Sequence, residues 1–257
     1  MTGHDETDVL VVGSGIAGLA SALAAAREGA DVTVATKATR PEGASSWWAQ
    51  GGIAIARDDP EQFKADILAA SSDTADPEAV DVLVENANAA VEDVLLETLD
   101  VEFDTSSDDD FDFGREAAHS SNRILHVDAS TGKHIHVPFL NYLDDHESVE
   151  IRDDTAALEL VRHEGRVYGA VLESEGEFEP YYAGATILAT GGIGDLYPRS
   201  TNPDGATGDG IAMAALAGAD VTDMEYIQFH PTVCIANDSP FLVSEAVRGE
   251  GAVLKNG

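Results

Sequence analysis

Apolar and polar positions fall into readable periods along this chain. Residues 8–12 are a short β-branched apolar run, 19–28 have helix-forming composition, and 31–35 form a second apolar run. Between the first two lies Gly13-Ser14-Gly15-Ile16-Ala17-Gly18, so the order predicts strand, turn, helix, strand. Two more helices are predicted over 60–71 and 77–99. Asp59 and Asp76 stand at their N-caps, each followed by a proline at the first helical position. Val80, Leu83, Val84, Ala87, Val91, Val94 and Leu95 repeat at helical spacing and read as a core-facing stripe. The acidic run at 105–112 reads as a loop.

His134 and His136 are expected on one face of a strand or in a turn, with 139–142 the end of a helix-like segment. Residues 149–152, 156–162 and 166–174 read as short strands of a hairpin sheet, with Glu164-Gly165 as a turn. A last apolar strand at 182–188 leads into Ala189-Thr190-Gly191-Gly192, and a helix at 211–217 follows Gly208-Asp209-Gly210. The pattern is α/β.

The chain has 257 residues and a hydrophobic fraction of 44%, enough for a sizeable core. No window approaches the roughly 18 apolar residues of a membrane span, and residues 1–7 lack a signal peptide's basic and apolar regions. A cytoplasmic protein without a membrane partner is expected. The single cysteine, Cys234, excludes an internal disulfide and an iron–sulfur thiolate set, and reads as a small buried apolar residue.

Net charge changes the picture more. With 48 acids against 14 Lys plus Arg the balance is −34, which argues against nucleic acid or an anionic membrane as partner. Such self-repulsion is tolerable where the Debye length falls to about 3 Å, in molar salt, so a halophilic source is expected. Among so few cations, Arg115, Arg123, Arg199 and Arg248 become candidates for anion binding, the alternative being surface ion pairs.

The glycine turn carries the first chemistry. Gly13 permits the tight turn, Gly15 lets a pyrophosphate approach the backbone, and Gly18 lets helix and strand pack closely. The free N–H groups of the helix N-terminus then face the phosphate. At the end of the second strand, where NAD-binding units hold a ribose with an acid, Thr36-Lys37 stands instead. A cation there suits a phosphate or a flavin nucleotide.

Ser45-Ser46-Trp47-Trp48-Ala49-Gln50-Gly51-Gly52 combines close-approach glycines with side chains able to hydrogen-bond the edge of a polar ring. Its alternative reading is a buried tryptophan pair beside a turn. Asp209 suits a ribityl or ribose hydroxyl. Arg115, Glu116, His119, Arg123 and His126 crowd acid, base and imidazole into one stretch. His134 and His136 have no third ligand nearby, so no metal site is expected.

Taken in order, GSGIAG, SSWWAQGGIA, GREAAHSSNRILH, ATGGIGDLY, TNPDGATGDGIAMA, QFHPT and SEAVRGEG resemble the fumarate reductase and succinate dehydrogenase flavoprotein superfamily, and within it the L-aspartate oxidase branch. The resemblance implies a Rossmann-like FAD-binding domain with an inserted β-hairpin sheet over residues 1–223, and the start of an α+β capping domain over 224–257. It implies FAD contacts from Ser14, Gly15, Ile16, Ala17, Lys37, the Ser45 to Gly52 stretch and Asp209. Succinate dehydrogenases carry a flavin-linked histidine where Ser45 stands, so FAD is expected to be non-covalent.

Glu116 matches a glutamate of the aspartate oxidases that holds the substrate ammonium, although Ala117 and Ala118 replace the glycines beside it. His230, Ser244 and Glu245 are implied as substrate residues, with Arg248 added from its place in the motif. The implied reaction oxidises L-aspartate to iminoaspartate with O2, giving H2O2, or with fumarate as acceptor. It supplies quinolinate and NAD synthesis, with a hand-off to quinolinate synthase.

The superfamily's members are longer, and their catalytic arginine lies beyond Gly257. A fragment with little or no turnover is therefore expected. Two alternatives stay open: a succinate dehydrogenase or fumarate reductase subunit with an iron–sulfur partner, and a non-catalytic flavin-binding fragment.

Overall fold

The computed structural model describes residues 6–107, 110–116, 118–128, 130–230, 233–236, 239–243 and 255. In chain order its elements are β1 Glu6–Val12, α1 Ile16–Arg27, β2 Val32–Ala35, β3 Ile53–Ala54, α2 Pro60–Ala70, α3 Pro77–Ala90, β4 Ile124–Leu125, α4 Thr131–Asp144, β5 Val149–Arg152, β6 Thr155–His163, β7 Arg166–Ser174, β8 Glu177–Leu188, α5 Asp209–Ala217, β9 Val233–Ala236 and β10 Ser239–Leu242. They pack as two compact units, Met1–Trp47 with His136–Phe241, and Trp48–Ile135 with Leu242–Gly257. No described helix is long and apolar enough to cross a membrane.

The first unit is built on a six-stranded sheet in the order β5-β2-β1-β8-β7-β6. Strands β5, β2, β1 and β8 run parallel. β8 then continues into an antiparallel hairpin layer with β7 and β6. Tyr182 is the changeover, pairing with Gly169 of β7 and Glu6 of β1. One strand thus joins the parallel and antiparallel parts of a single sheet.

That joint is fastened by a buried hydrogen bond of 2.9 Å between the Tyr181 and Thr33 hydroxyls, and the Arg152 guanidinium lies 4.6 Å from the Tyr181 ring centroid. Leu10, Val12, Ala35, Leu160, Ala170, Leu172, Tyr181, Ala183 and Met213 form the core that both layers share.

The structure moves two sequence expectations here. Residues 149–152 leave the hairpin sheet and pair in parallel with β2, because they return from helix α4 as the last strand of a crossover. His134 and His136 lie in α4, neither on a strand nor in a turn. Pro138 lies inside that helix, where it removes a backbone donor. Burial of Ile135, Phe139 and Leu143 at four-residue intervals outweighs it.

In the second unit, α2 and α3 pack around Ala56, Phe63, Val80 and Val84. The caps are as the sequence reads: Asp59 accepts the Gln62 N–H at 3.0 Å, and Asp76 that of Glu78 at 3.0 Å. The predicted helix over 77–99 is α3 followed without a break by a π-helical stretch, Val91–Thr98. Its buried stripe is narrower than expected, since Val80, Val84, Val91 and Leu95 are buried while Leu83 is 55% exposed. Strand β3 pairs antiparallel with β4, Ile53 opposite Leu125.

Two smaller expectations also change. Cys234 is exposed on β9. The tryptophans are no buried pair: Trp47 is half-buried and Trp48 exposed.

Candidate functional site

At the carboxyl ends of the parallel strands three loops of the first unit converge. The Gly13 N–H donates to Ala35 O at 2.9 Å and the Ala189 N–H to Val12 O at 2.8 Å, so the glycine turn lies between the ends of β2 and β8. Gly13 has φ of 110°, open to glycine, and a side chain there would strike the Ala189 carbonyl. A Cβ on Gly18 would run into the Gly13 carbonyl oxygen, which is the close helix-to-turn packing the motif predicts.

Gly15 is the N-cap of α1 and has no side chain to cap it. The Ile16 N–H instead donates to Ser46 Oγ at 3.0 Å, and a Cβ on Gly15 would meet only that hydroxyl, at 3.4 Å. Across the turn, Cβ atoms built on Gly191 and Gly192 would meet nothing within 4 Å. Bare backbone and a helix N-terminus thus face open space, the surroundings a pyrophosphate requires. Ala17 follows on the exposed first turn of α1.

Lys37, just past β2, reaches Asp209 at the start of α5, with Nζ to Oδ2 at 2.5 Å. Thr207 completes the set, donating to Asp209 Oδ1 at 2.8 Å. Lys37, aided by Thr207, holds the Asp209 carboxyl below its ordinary range against the opposing effect of burial. Ser45 donates to Asn202 Oδ1 at 3.3 Å. The sequence-predicted set Gly13, Ser14, Gly15, Ile16, Ala17, Gly18, Lys37, Ser45, Ser46, Trp47 and Asp209 therefore falls within one unit.

Trp48, Ala49, Gln50, Gly51 and Gly52 belong to the second unit. There Gln50 Oε1 is shielded from solvent without a hydrogen-bond partner among the described residues, an acceptor suited to a ring N–H.

The second unit also holds the crowded stretch. Arg123 is not an exposed anion binder but a buried structural cation, 1% exposed, 3.5 Å from Asp66 and 4.6 Å from the Phe63 ring centroid. Asp66 accepts from the Ser120 N–H at 2.9 Å and the Ser120 hydroxyl at 2.8 Å. Burial works to raise the Asp66 carboxyl, and Ser120, Gln62 and Arg123 outweigh it, leaving it below the usual range. Arg115 donates to the His119 carbonyl at 2.8 Å, Arg199 is exposed, and Glu116 is half-buried in the same loop as His119.

His230 is half-buried in the first unit. Ser244, Glu245 and Arg248 lie outside the described residues.

Sequence reasoning missed His136 and Asp66. His136 Nε2 donates to the Ser14 carbonyl at 2.6 Å from a side chain that is 1% exposed. The signal was the four-residue spacing around it, masked by Pro138.

Residues 8–257 match the model of the family described as FAD binding domain. The chain is 64% identical to an L-aspartate oxidase of Halobacterium salinarum, over 100% of this chain and 51% of that protein. Among solved structures, the Mycobacterium smegmatis Sdh1 complex in its apo form matches with a TM-score of 0.87 at 30% identity, covering 98% of this chain and 46% of that one. The Escherichia coli quinol fumarate reductase subunit FrdA, with an E245Q mutation, matches with a TM-score of 0.88 at 28% identity, covering 96% and 42%. The chain spans about half the length of the curated relatives it matches.

Proposed function

This chain belongs to the FAD binding domain family, and from that premise we propose that it is part of a flavoprotein that oxidises L-aspartate to iminoaspartate. The observation that carries the reading is the glycine cradle at the ends of β1 and β8, flanked by Lys37 and Asp209. The 64% identity to an aspartate oxidase supports aspartate as the substrate.

Bound FAD, held non-covalently, supplies the two-electron acceptor for the hydride leaving the aspartate Cα. The chain's own residues bind and orient. Gly15 and the α1 N-terminus take the pyrophosphate, with Lys37 adding charge, and Asp209 takes a hydroxyl of the nucleotide. Gln50, with Ser45 and Ser46, bonds the ring edge. The Glu116 carboxylate holds the substrate ammonium and so orients the Cα that is oxidised. His230, Ser244, Glu245 and Arg248 hold the substrate carboxylates.

In this reading residues 224–257 open the capping domain that closes over aspartate. O2, giving H2O2, or fumarate accepts the electrons, and the product goes to quinolinate synthase for NAD formation.

The deciding experiment is anaerobic addition of L-aspartate to the FAD-loaded protein in molar salt, with flavin absorbance as the readout. Bleaching by aspartate and not by succinate is expected. Bleaching by succinate alone would move the protein to the dehydrogenase branch and remove the role given to Glu116.

A further inference from the structure

Ser14, at the centre of the glycine turn, is held from two sides. Its hydroxyl donates to Thr36 Oγ1 at 2.9 Å, and its carbonyl accepts from His136 Nε2 at 2.6 Å across 122 positions of chain. Both bonds lie out of solvent. A carbonyl can only accept, so the bond requires the proton on Nε2. Nδ1 of the same ring is buried and has no partner among the described residues.

Leaving a buried nitrogen unpaired is costly. An apolar side chain would fill this place in the α4 stripe, between Ile135 and Phe139, without that cost. What the ring supplies here is the Nε2 bond to the Ser14 carbonyl.

The peptide joining Ser14 to Gly15 is planar and trans, so its C=O and N–H point in opposite directions. Holding the carbonyl toward α4 aims the Gly15 N–H away from α4. We propose that His136 is a positioning residue for the phosphate-binding turn, which sets the Ser14–Gly15 peptide plane so that the Gly15 N–H is presented to the pyrophosphate of the dinucleotide. Burial holds the imidazole below its ordinary pKa against the opposing effect of the Ser14 bond, keeping the ring in its neutral form. The proposal rests on the flavin reading of the site.

The test compares wild type, His136→Leu and His136→Gln, with FAD affinity measured by flavin fluorescence and fold checked by thermal melting. Leu keeps the volume and removes the donor. Gln restores an N–H that reaches toward the carbonyl. Leu is expected to weaken FAD binding about tenfold, the loss of roughly one buried hydrogen bond, with Gln recovering most of it. Should the Leu variant not fold, nitrogen NMR of wild-type His136 decides: the Nε2–H tautomer is expected, and an Nδ1–H tautomer overturns the proposal. Equal FAD affinity in all three proteins also overturns it while leaving the flavin reading intact. If wild type takes up no FAD, both fall.

Discussion

Asp66 Oδ2 and Arg123 Nη2 lie 3.5 Å apart, with 8% and 1% of their side chains exposed, and the carboxylate is shared with both donors of Ser120. This buried pair ties α2 to the loop that carries Glu116.

Removing one partner leaves the other charge buried and alone. Asp66→Ala is expected to lower stability by about 3–5 kcal/mol, read as a shift in the denaturant midpoint. Replacing both, Asp66→Ala with Arg123→Met, should recover part of that loss, because no uncompensated charge remains. A double variant as weak as the sum of the two single ones would show that the ion pair is not the source.

Stability should fall on mild acidification. Burial, with Arg123 and Arg115, lowers the His119 pKa despite Asp66, and burial lowers that of His136. The unfolded chain takes up these protons near the ordinary value of about 6.5, and the folded chain only at lower pH. Their contribution is therefore complete above about 6.5 and is lost as pH drops below it. Asp66, with its pKa lowered, contributes above its ordinary value of 3.8 and loses this as pH falls through its folded value. In molar salt, the urea midpoint should decline between about pH 8 and about pH 5, and less so in His136→Gln. Identical slopes for the two proteins would rule out the histidine's part.

A net charge of −34 sets the salt response. Screening shortens the reach of repulsion from about 10 Å at 0.1 M to about 3 Å at 1 M. Melting temperature should rise steeply over that range. A protein equally stable in dilute buffer would remove the halophilic reading.

Gly18→Ala places a methyl group against the Gly13 carbonyl oxygen and beside the Ala189 Cβ, with no flexible side chain to yield. The turn must open, so FAD affinity should drop at least tenfold while Gly29→Ala, whose Cβ meets nothing, leaves it unchanged. Gly29 has φ of 86°, so the control carries a small cost in stability but none at the turn. Unaltered binding by Gly18→Ala would count against the cradle.

Much of this was legible because it is local. The β1 run, the glycine turn, α1 and β2 follow from periodicity and from what each glycine must allow, and Asp59 and Asp76 announce their helices through caps that act within three residues. Lys37 and Asp209 were each singled out without sign that they would meet, since 172 positions separate them.

The misreadings share one cause. Residues 149–152 have the apolar pattern of any strand, and only the α4 crossover decides which neighbour they pair with. Arg123 looked like a scarce exposed cation until Asp66 and Phe63 enclosed it. His136 sits two residues before a proline that in isolation ends helices, and its Ser14 partner lies 122 positions away in the glycine turn.

Local pattern was enough for most elements, the dinucleotide-binding turn and the family, since those rest on backbone conformation and short-range spacing. Tertiary structure alone decided which buried polar groups became partners, because burial strengthens such bonds and makes each unmet one costly, and no local pattern records who lies across the core.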